Sequence, residues 1–275
     1  MALRSNVNPS ADHERRFGAL ARLYGAQGAV QIFAAHVVVV GIGGVGSWSA
    51  ETLIRSGVGR ITLIDMDHVS ESNINRQIHA LGVTLGRAKI EAMRDRMADI
   101  NPDCHIHLID DFVTPENWHT MLSHIQSFAP VQGVIDACDQ VAAKTTLSAW
   151  ALTQKKMAFI AVGAAGGKRQ AELVKISDVS QTTNDPLLSK MRYNLRRHYS
   201  APREGKLGVT CVYSEESVQQ PLQSSITEAC EVNVVSDGSL NCHGFGSTVS
   251  VTATFGFCAA GWIIRMLAKL PKTTL

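Results

Sequence analysis

No CxxC pair occurs among the six cysteines, Cys104, Cys138, Cys211, Cys230, Cys242 and Cys258. That spacing disfavours a structural zinc site of the thiolate type. The opening stretch, MALRSNVNPSADHERR, holds no apolar h-region, so no secretory signal is read and a cytoplasmic protein with reduced thiols is expected. Net charge is small: 26 Lys and Arg stand against 24 Asp and Glu, giving +2. A polyanion binder that uses its whole surface is excluded, although a local basic patch is not. There is no collagen period, heptad run or internal repeat. Charge is absent altogether from Gly238 to Ile264, a length able to span a bilayer. Its first half is rich in Gly, Ser, Thr and Asn, so a buried strand plus helix is the expected reading; peripheral membrane association is left open. What remains is an ordinary globular composition, 45% apolar and 18% charged over 275 residues. A chain of this size buries roughly three quarters of its unfolded surface and needs no crosslink to hold a core.

Hydrophobic patterning predicts an α/β fold, a Rossmann-like and mostly parallel sheet with helices on both faces. Arg15 to Ile32 reads as helical. HVVVV (36–40) is a short β-branched run of the kind that fills a buried parallel strand. Further strands are read at ITLID (61–65), HIHLID (105–110), GVIDACD (133–139) and AFIAVG (158–163), with helices at 48–57, 86–100 and 140–154. Strands alternating with helices indicate a parallel sheet covered on both sides. After residue 168 the rhythm changes. QAELVKIS (170–177) alternates like an antiparallel addition, VTCVYS and VNVVS read as short strands, and 245–268 is apolar. A single unit is expected, with a nucleotide-binding half (15–168) and a substrate-side half (169–275).

Gly41, Gly43 and Gly46 form G-x-G-x-x-G between a strand and a helix, with Gly44 inside the loop. Such a loop lets the backbone approach a phosphate chain at a helix N-terminus. Asp65, at the end of the second strand, is placed for ribose hydroxyls. The motif alone does not choose between NAD, FAD and ATP. The polar cluster Asn73, Asn75, Arg76 and Gln77 does, since a guanidinium clamps phosphate oxygens and a dinucleotide has no need of it. Lys89, near a helix start, suits an α-phosphate. Asp136 and Asp139, at i and i+3 after the fourth strand, are read as candidates for Mg²⁺. All of these converge on the crevice at the strand ends.

GIGGVGS, the D-x-D of Asp65 and Asp67, N-x-N-R-Q, the helical Lys89 and the DACD segment resemble the E1-like, ThiF/MoeB-type adenylating superfamily. Within it, RxFGALARLYG, LIDMDHV, NRQIHAL, DDFVTPEN, GKLGV-x-C-V-x-S and VTATFGF are similar to the tRNA threonylcarbamoyladenosine dehydratase family. The resemblance implies ATP and Mg²⁺ as cofactors and a carboxylate as the acceptor of the adenylyl group. It implies that Asp65 holds ribose, that Arg76 and Lys89 contact phosphates, that Asn73 and Gln77 line the pocket, and that Asp136 or Asp139 supports the metal. It implies a homodimer in which an N-terminal arginine, Arg22 or Arg16, reaches the partner's triphosphate. The closer resemblance implies a tRNA carrying threonylcarbamoyladenosine as substrate, cyclised through an acyl-adenylate to a hydantoin with net loss of water. A monovalent cation, K⁺ or Na⁺, near the Gly-rich C-terminal loops is left open.

An independent feature points to RNA rather than DNA. Residues 190–206 carry Lys190, Arg192, Arg196, Arg197, Arg203 and Lys206 against one acid, Glu204, for a local charge of +5. Tyr193, His198 and Tyr199 are interleaved, a combination suited to phosphate tracking and base stacking. The alternative is a solvated charged loop. Cys242, in NCHGFGS, resembles a position linked to sulfur acceptance from a cysteine desulfurase system; the alternative is an inert loop thiol. His79 is read as a structural histidine, with general-base action as the alternative. Two other functions stay in view: adenylation of the C-terminus of a ubiquitin-like sulfur carrier, and a nucleotide-binding partner protein in sulfur trafficking.

Overall fold

The computed structural model describes residues 12–154, 157–219 and 245–269. Its centre is a seven-stranded sheet in the order β3-β2-β1-β4-β5-β7-β6. The strands are β1 (His36–Val40), β2 (Arg60–Ile64), β3 (His105–Ile109), β4 (Gly133–Asp136), β5 (Ala158–Val162), β6 (Val174–Asp178) and β7 (Thr210–Ser214). Pairs from β3 through β7 run parallel, and β6 joins β7 antiparallel. The expected fold class is the one observed. The antiparallel addition at 170–177 is present, although its first residues, Ala171–Leu173, form a 3₁₀ turn.

Strand alternation divides the core in two. Val37 and Val39 of β1 face one layer; Val38 and Val40 face the other. The first layer contains α1 (His13–Ala34), α2 (Gly46–Arg55), α3 (Lys89–Ile100) and α7 (Val249–Leu267). The second contains α4 (Trp118–Phe128), α5 (Val141–Leu152) and α6 (Pro186–His198). Helix α1 starts at Asp12, whose carboxylate caps Arg15 N, and breaks at Gly25, where φ is 77°. Glu51 of α2 binds Arg96 of α3 through two bonds of 2.8 and 2.9 Å and also receives Arg55, fastening the two helices together.

One expectation is corrected by the structure. The basic stretch 190–206, for which a solvated charged loop was the alternative, begins inside the amphipathic helix α6. Leu187, Leu188, Met191 and Leu195 form its buried face, Asp185 is its N-cap and Pro186 opens its first turn. In the uncharged segment, the expected buried helix is present as α7, while 238–244 lie outside the described residues. Val251, Phe255, Ala259, Ala260 and Ile263 of α7 are fully buried against the sheet and α2, and its exposed large apolar residues are Val249 and Phe257. Its length and hydropathy alone would permit a membrane span, but its apolar face is occupied. The strand-like VNVVS (232–236) lies outside the described residues.

Helices α2 and α7 approach closely because Gly256 has no side chain. A Cβ there would sit 2.7 Å from Val45 O and 2.8 Å from Trp48 Cβ. Gly261, on the same helix, would meet nothing within 4 Å. Gly256→Ala should therefore destabilise the protein by about 2 kcal/mol. Gly261→Ala should stabilise it by roughly 0.5–1 kcal/mol through helix propensity. Urea melts of both variants check this; equal and small shifts would contradict the close approach.

Candidate nucleotide-binding site

Strand ends determine where ligand chemistry can occur. β1, β4 and β5 finish side by side, and the loops after them enclose a cavity of about 480 Å³. Its wall includes Gly41, Gly43, Gly44 and Val45 from the loop after β1, and Asp65 and Asp67 from that after β2. Asn73, Arg76, Gln77 and Lys89 also line it, as do Cys138, Asp139 and the segment Gly163–Gly166. Residues distant in sequence thus meet at the crevice of an open α/β sheet.

The glycine loop is folded by contacts that exclude side chains. Gly41 has φ 84°, and a Cβ on it would lie 2.9 Å from Ala137 O. A Cβ on Gly46 would overlap Gly41 O. Gly46 itself is not on the cavity wall; it closes the turn. Asp65 is buried and receives Ile42 N at 2.6 Å and Asp67 N at 2.8 Å. Burial raises its pKa, while Lys89 and the two amides oppose the shift.

Asp67 continues this chain. Its carboxylate, half exposed, holds the Lys89 ammonium at 2.7 Å, and its backbone carbonyl receives Lys89 N at 2.9 Å. Lys89 thus stands at the cavity already paired. Arg76 does not: its guanidinium donates to Ser72 O at 2.7 Å and Asn75 Oδ1 at 2.9 Å, and it has no carboxylate partner among the described residues. Burial lowers its pKa. Its stem fits over the Cα of Gly44, where a Cβ would sit 3.3 Å away. Gln77 is buried with Oε1 unpartnered among the described residues. Asn73 caps its own turn by accepting Ser70 N.

Some predicted site residues are elsewhere. Asn75 is off the wall; its amide donates to Ser247 O at 3.0 Å and its oxygen orients Arg76. Asp136 and Asp139 do not converge. Asp136 is completely buried behind the wall, 2.9 Å from the equally buried Lys144 ammonium. It also accepts from Cys138 N and Sγ. Burial works against the Lys144 ammonium, but Asp136, helped by Cys138 and Cys211, outweighs it and the pKa is raised. Only Asp139 of the pair lines the cavity, with its pKa raised by burial. Arg22 is exposed on α1 and does not line the cavity; Arg16 donates at 2.6 Å to Ile100 O, at the end of α3. Cys242 and most of the Gly-rich loop proposed for a monovalent cation lie outside the described residues.

Sequence reasoning missed Lys144, Asp111 and the Gly163–Gly166 segment. A lysine eight residues after a strand-end aspartate, one helical turn inside α5, was the available signal for Lys144. On the basic helix, Arg192 and Arg196 are turned to backbone carbonyls: Arg192 to Val179 O and Thr182 O, Arg196 to Pro202 O and Arg203 O. Arg197 and Arg203 are exposed. Arg197 donates to Tyr193 OH at 2.7 Å, and Lys190 lies 5.4 Å from the centroid of that half-exposed ring.

With this geometry in place, known proteins can be compared. The model of the ThiF family matches residues 16–275. The chain belongs to the ThiF family. It is 44% identical over 263 residues to the Escherichia coli (strain K12) protein named tRNA threonylcarbamoyladenosine dehydratase, covering 94% of this chain and 96% of that one. Crystal structures of E. coli tRNA N6-threonylcarbamoyladenosine dehydratase, TcdA, in complex with ATP and with AMP both give a TM-score of 0.80. Their identities are 40% and 41%, with 94% of this chain and 96% of each of those chains covered.

Two predictions arise from the buried groups. Lys144→Met leaves the Asp136 charge alone in the interior and should cost about 3–5 kcal/mol. Adding Asp136→Asn should restore most of it, as read from a double-mutant cycle in urea; no recovery would contradict the pairing. His79 is buried, its pKa pushed down to about 4 by burial and by Lys89 and Arg96, and neither ring nitrogen has a partner among the described residues. The unfolded chain takes up this proton near pH 6.5 and the folded one only near 4. The stability owed to neutral His79 is therefore complete above pH 6.5 and declines by roughly 3 kcal/mol as pH falls to about 4. His79→Phe should flatten that part of the stability profile, and an unchanged slope would contradict the assignment.

Proposed function

We infer that the chain is an ATP-dependent tRNA threonylcarbamoyladenosine dehydratase. The supporting observation is its nearly full-length likeness to enzymes of that name, joined to a strand-end cavity in which Arg76 is a cation without a carboxylate partner among the described residues. In this reading the glycine loop accommodates the phosphate chain, Asp65 receives ribose hydroxyls, Arg76 and Lys89 neutralise phosphate charge, and Asn73 and Gln77 complete the wall. Lys89 exchanges part of its bond to Asp67 for phosphate oxygens. Catalysis is then chiefly positioning and charge stabilisation.

The chemistry proceeds in two displacements. A threonyl carboxylate oxygen attacks the α-phosphorus, the bond to the β-phosphate oxygen breaks, and pyrophosphate leaves. A urea nitrogen of the same modification then attacks the acyl carbon. The bond from that carbon to the adenylate oxygen breaks, AMP leaves with one carboxylate oxygen, and the nitrogen loses its proton as the hydantoin closes. The nucleophile is intramolecular, so ring closure calls on no cysteine. Cys138 lies at the cavity, but burial raises its pKa well above the ordinary thiol value.

Mg²⁺ fits the donor set in a limited way. It commonly takes one or two carboxylates together with phosphate oxygens and water. Asp139 would hold it; Asp136, already neutralised by Lys144, would not. When bound, the ion supplies charge neutralisation on the leaving pyrophosphate. The tRNA backbone is assigned to the exposed face bearing Lys190, Tyr193, Arg197 and Arg203. A homodimer remains part of the reading: Leu23 and Val30 are 73% and 61% exposed on α1, beside Arg22.

AMP release measured with tRNA carrying threonylcarbamoyladenosine, against the same tRNA without it, tests the function. Release that requires the modification is expected; release stimulated instead by a carrier protein ending in Gly-Gly would contradict it. Arg76→Ala should raise the KM for ATP at least tenfold. Lys190→Glu with Arg197→Glu should weaken tRNA binding and lower its salt slope by roughly 1–2. An unchanged slope would remove that face from the interface.

A further inference from the structure

A second concavity, of about 450 Å³, adjoins the nucleotide cavity and shares Pro186 and Val218 with it. It lies on the β5–β7 side of the site, whereas Arg76 and Lys89 stand on the β1–β2 side. One wall is residues 182–186, the other Ser217 and Val218, and Ser189 and Arg192 of α6 complete it.

Its walls are joined from behind. Lys168, 2% exposed, donates from Nζ to Asn184 O at 3.1 Å, Ser214 O at 3.3 Å and Glu216 O at 2.7 Å. Asn184 Nδ2 bridges the same gap to Glu215 O at 2.6 Å, and Asn184 is held at φ 55°, a conformation non-glycine residues seldom adopt. Arg192 fixes the Thr182 end through Thr182 O and Oγ1. Asp185 has its oxygens committed to Ala164 N and Leu188 N. The Thr183, Ser189 and Ser217 hydroxyls, by contrast, are exposed and have no side-chain hydrogen bond among the described residues.

Such a groove is rigid, mostly uncharged, and offers small hydroxyl donors and acceptors. Those groups match the edge of an unstacked nucleobase, which is how single-stranded RNA loops are read. Helix α6 carries the groove at its first turns and Lys190, Tyr193 and Arg197 further along. One element of 13 residues, roughly 20 Å long, therefore links an open recess to a cationic and aromatic face. We propose that this groove receives a nucleotide of the RNA loop next to the one whose carboxylate enters the nucleotide cavity. The proposal rests on the dehydratase reading for its RNA and adds a subsite to it.

Two variants test it: Ser189→Phe, which fills the groove, and the triple variant Thr183→Val, Ser189→Ala, Ser217→Ala, which removes its hydroxyls. Binding of a fluorescein-labelled anticodon stem-loop RNA is read by anisotropy, and ATP affinity reports that each variant is folded. Either variant should weaken RNA binding about tenfold with ATP affinity unchanged. RNA affinity within twofold of the parent protein in both folded variants, or no RNA binding by the parent, overturns the subsite. Should Ser189→Phe lose ATP binding, the triple variant decides. The dehydratase reading fails separately, if the parent releases no AMP with modified tRNA.

Discussion

Asp65 is the constraint on which the site depends. A buried carboxylate at the end of β2 takes the Ile42 amide of the glycine loop and the Asp67 amide of the next. The first bond fixes the loop after β1. The second places Asp67, and Asp67 in turn holds the Lys89 ammonium. One side chain thereby registers three segments that the sequence separates by tens of residues. Burial of its charge is unfavourable on its own, and the two amides with Lys89 nearby offset it. The same group that organises the loop remains at the cavity wall.

A second buried carboxylate repeats the device at the neighbouring strand. Asp136 ends β4, but its partner, Lys144, comes from behind, out of α5. It therefore acts on the turn Ala137–Asp139, whose backbone touches the space left by Gly41. The two aspartates differ because Asp65 binds loop amides, with Lys89 held next to it by Asp67, whereas Asp136 pairs directly with Lys144. Asp65 faces the cavity; Asp136 is sealed beneath it and leaves Asp139, itself partly buried, as the acid on the wall.

The central parallel strands β1, β4 and β5 were legible because each is a short apolar run, and a strand buried on both faces has no polar face to disguise it; the edge strand β3 showed instead the alternation of His105 and His107 with apolar residues. The glycine spacing indicated the loop, and the polar residues at 73–77 indicated one wall of the cavity. Helix α6 was obscured by its charge: four apolar residues were hidden among lysine and arginines, and only the buried face of Leu187, Leu188, Met191 and Leu195 reveals the period. Pair spacing misled at Asp136 and Asp139, since i and i+3 after a strand need not share a direction when the chain turns between them. Lys144 left only a spacing signal in the sequence, because its pairing with Asp136 is set by how α5 lies on the sheet. For the same reason Arg192 and Arg196, cations on paper, are occupied by carbonyls at the helix flank.

The central claim is that this crevice activates a carboxylate by joining it to the α-phosphorus of ATP. Transfer of isotopic oxygen tests it most directly. Modified tRNA bearing ¹⁸O in the threonyl carboxylate should yield AMP carrying one ¹⁸O in its phosphate, read by mass spectrometry after a single turnover. AMP free of label, with the heavy oxygen retained in the tRNA product or released as water, would contradict the account.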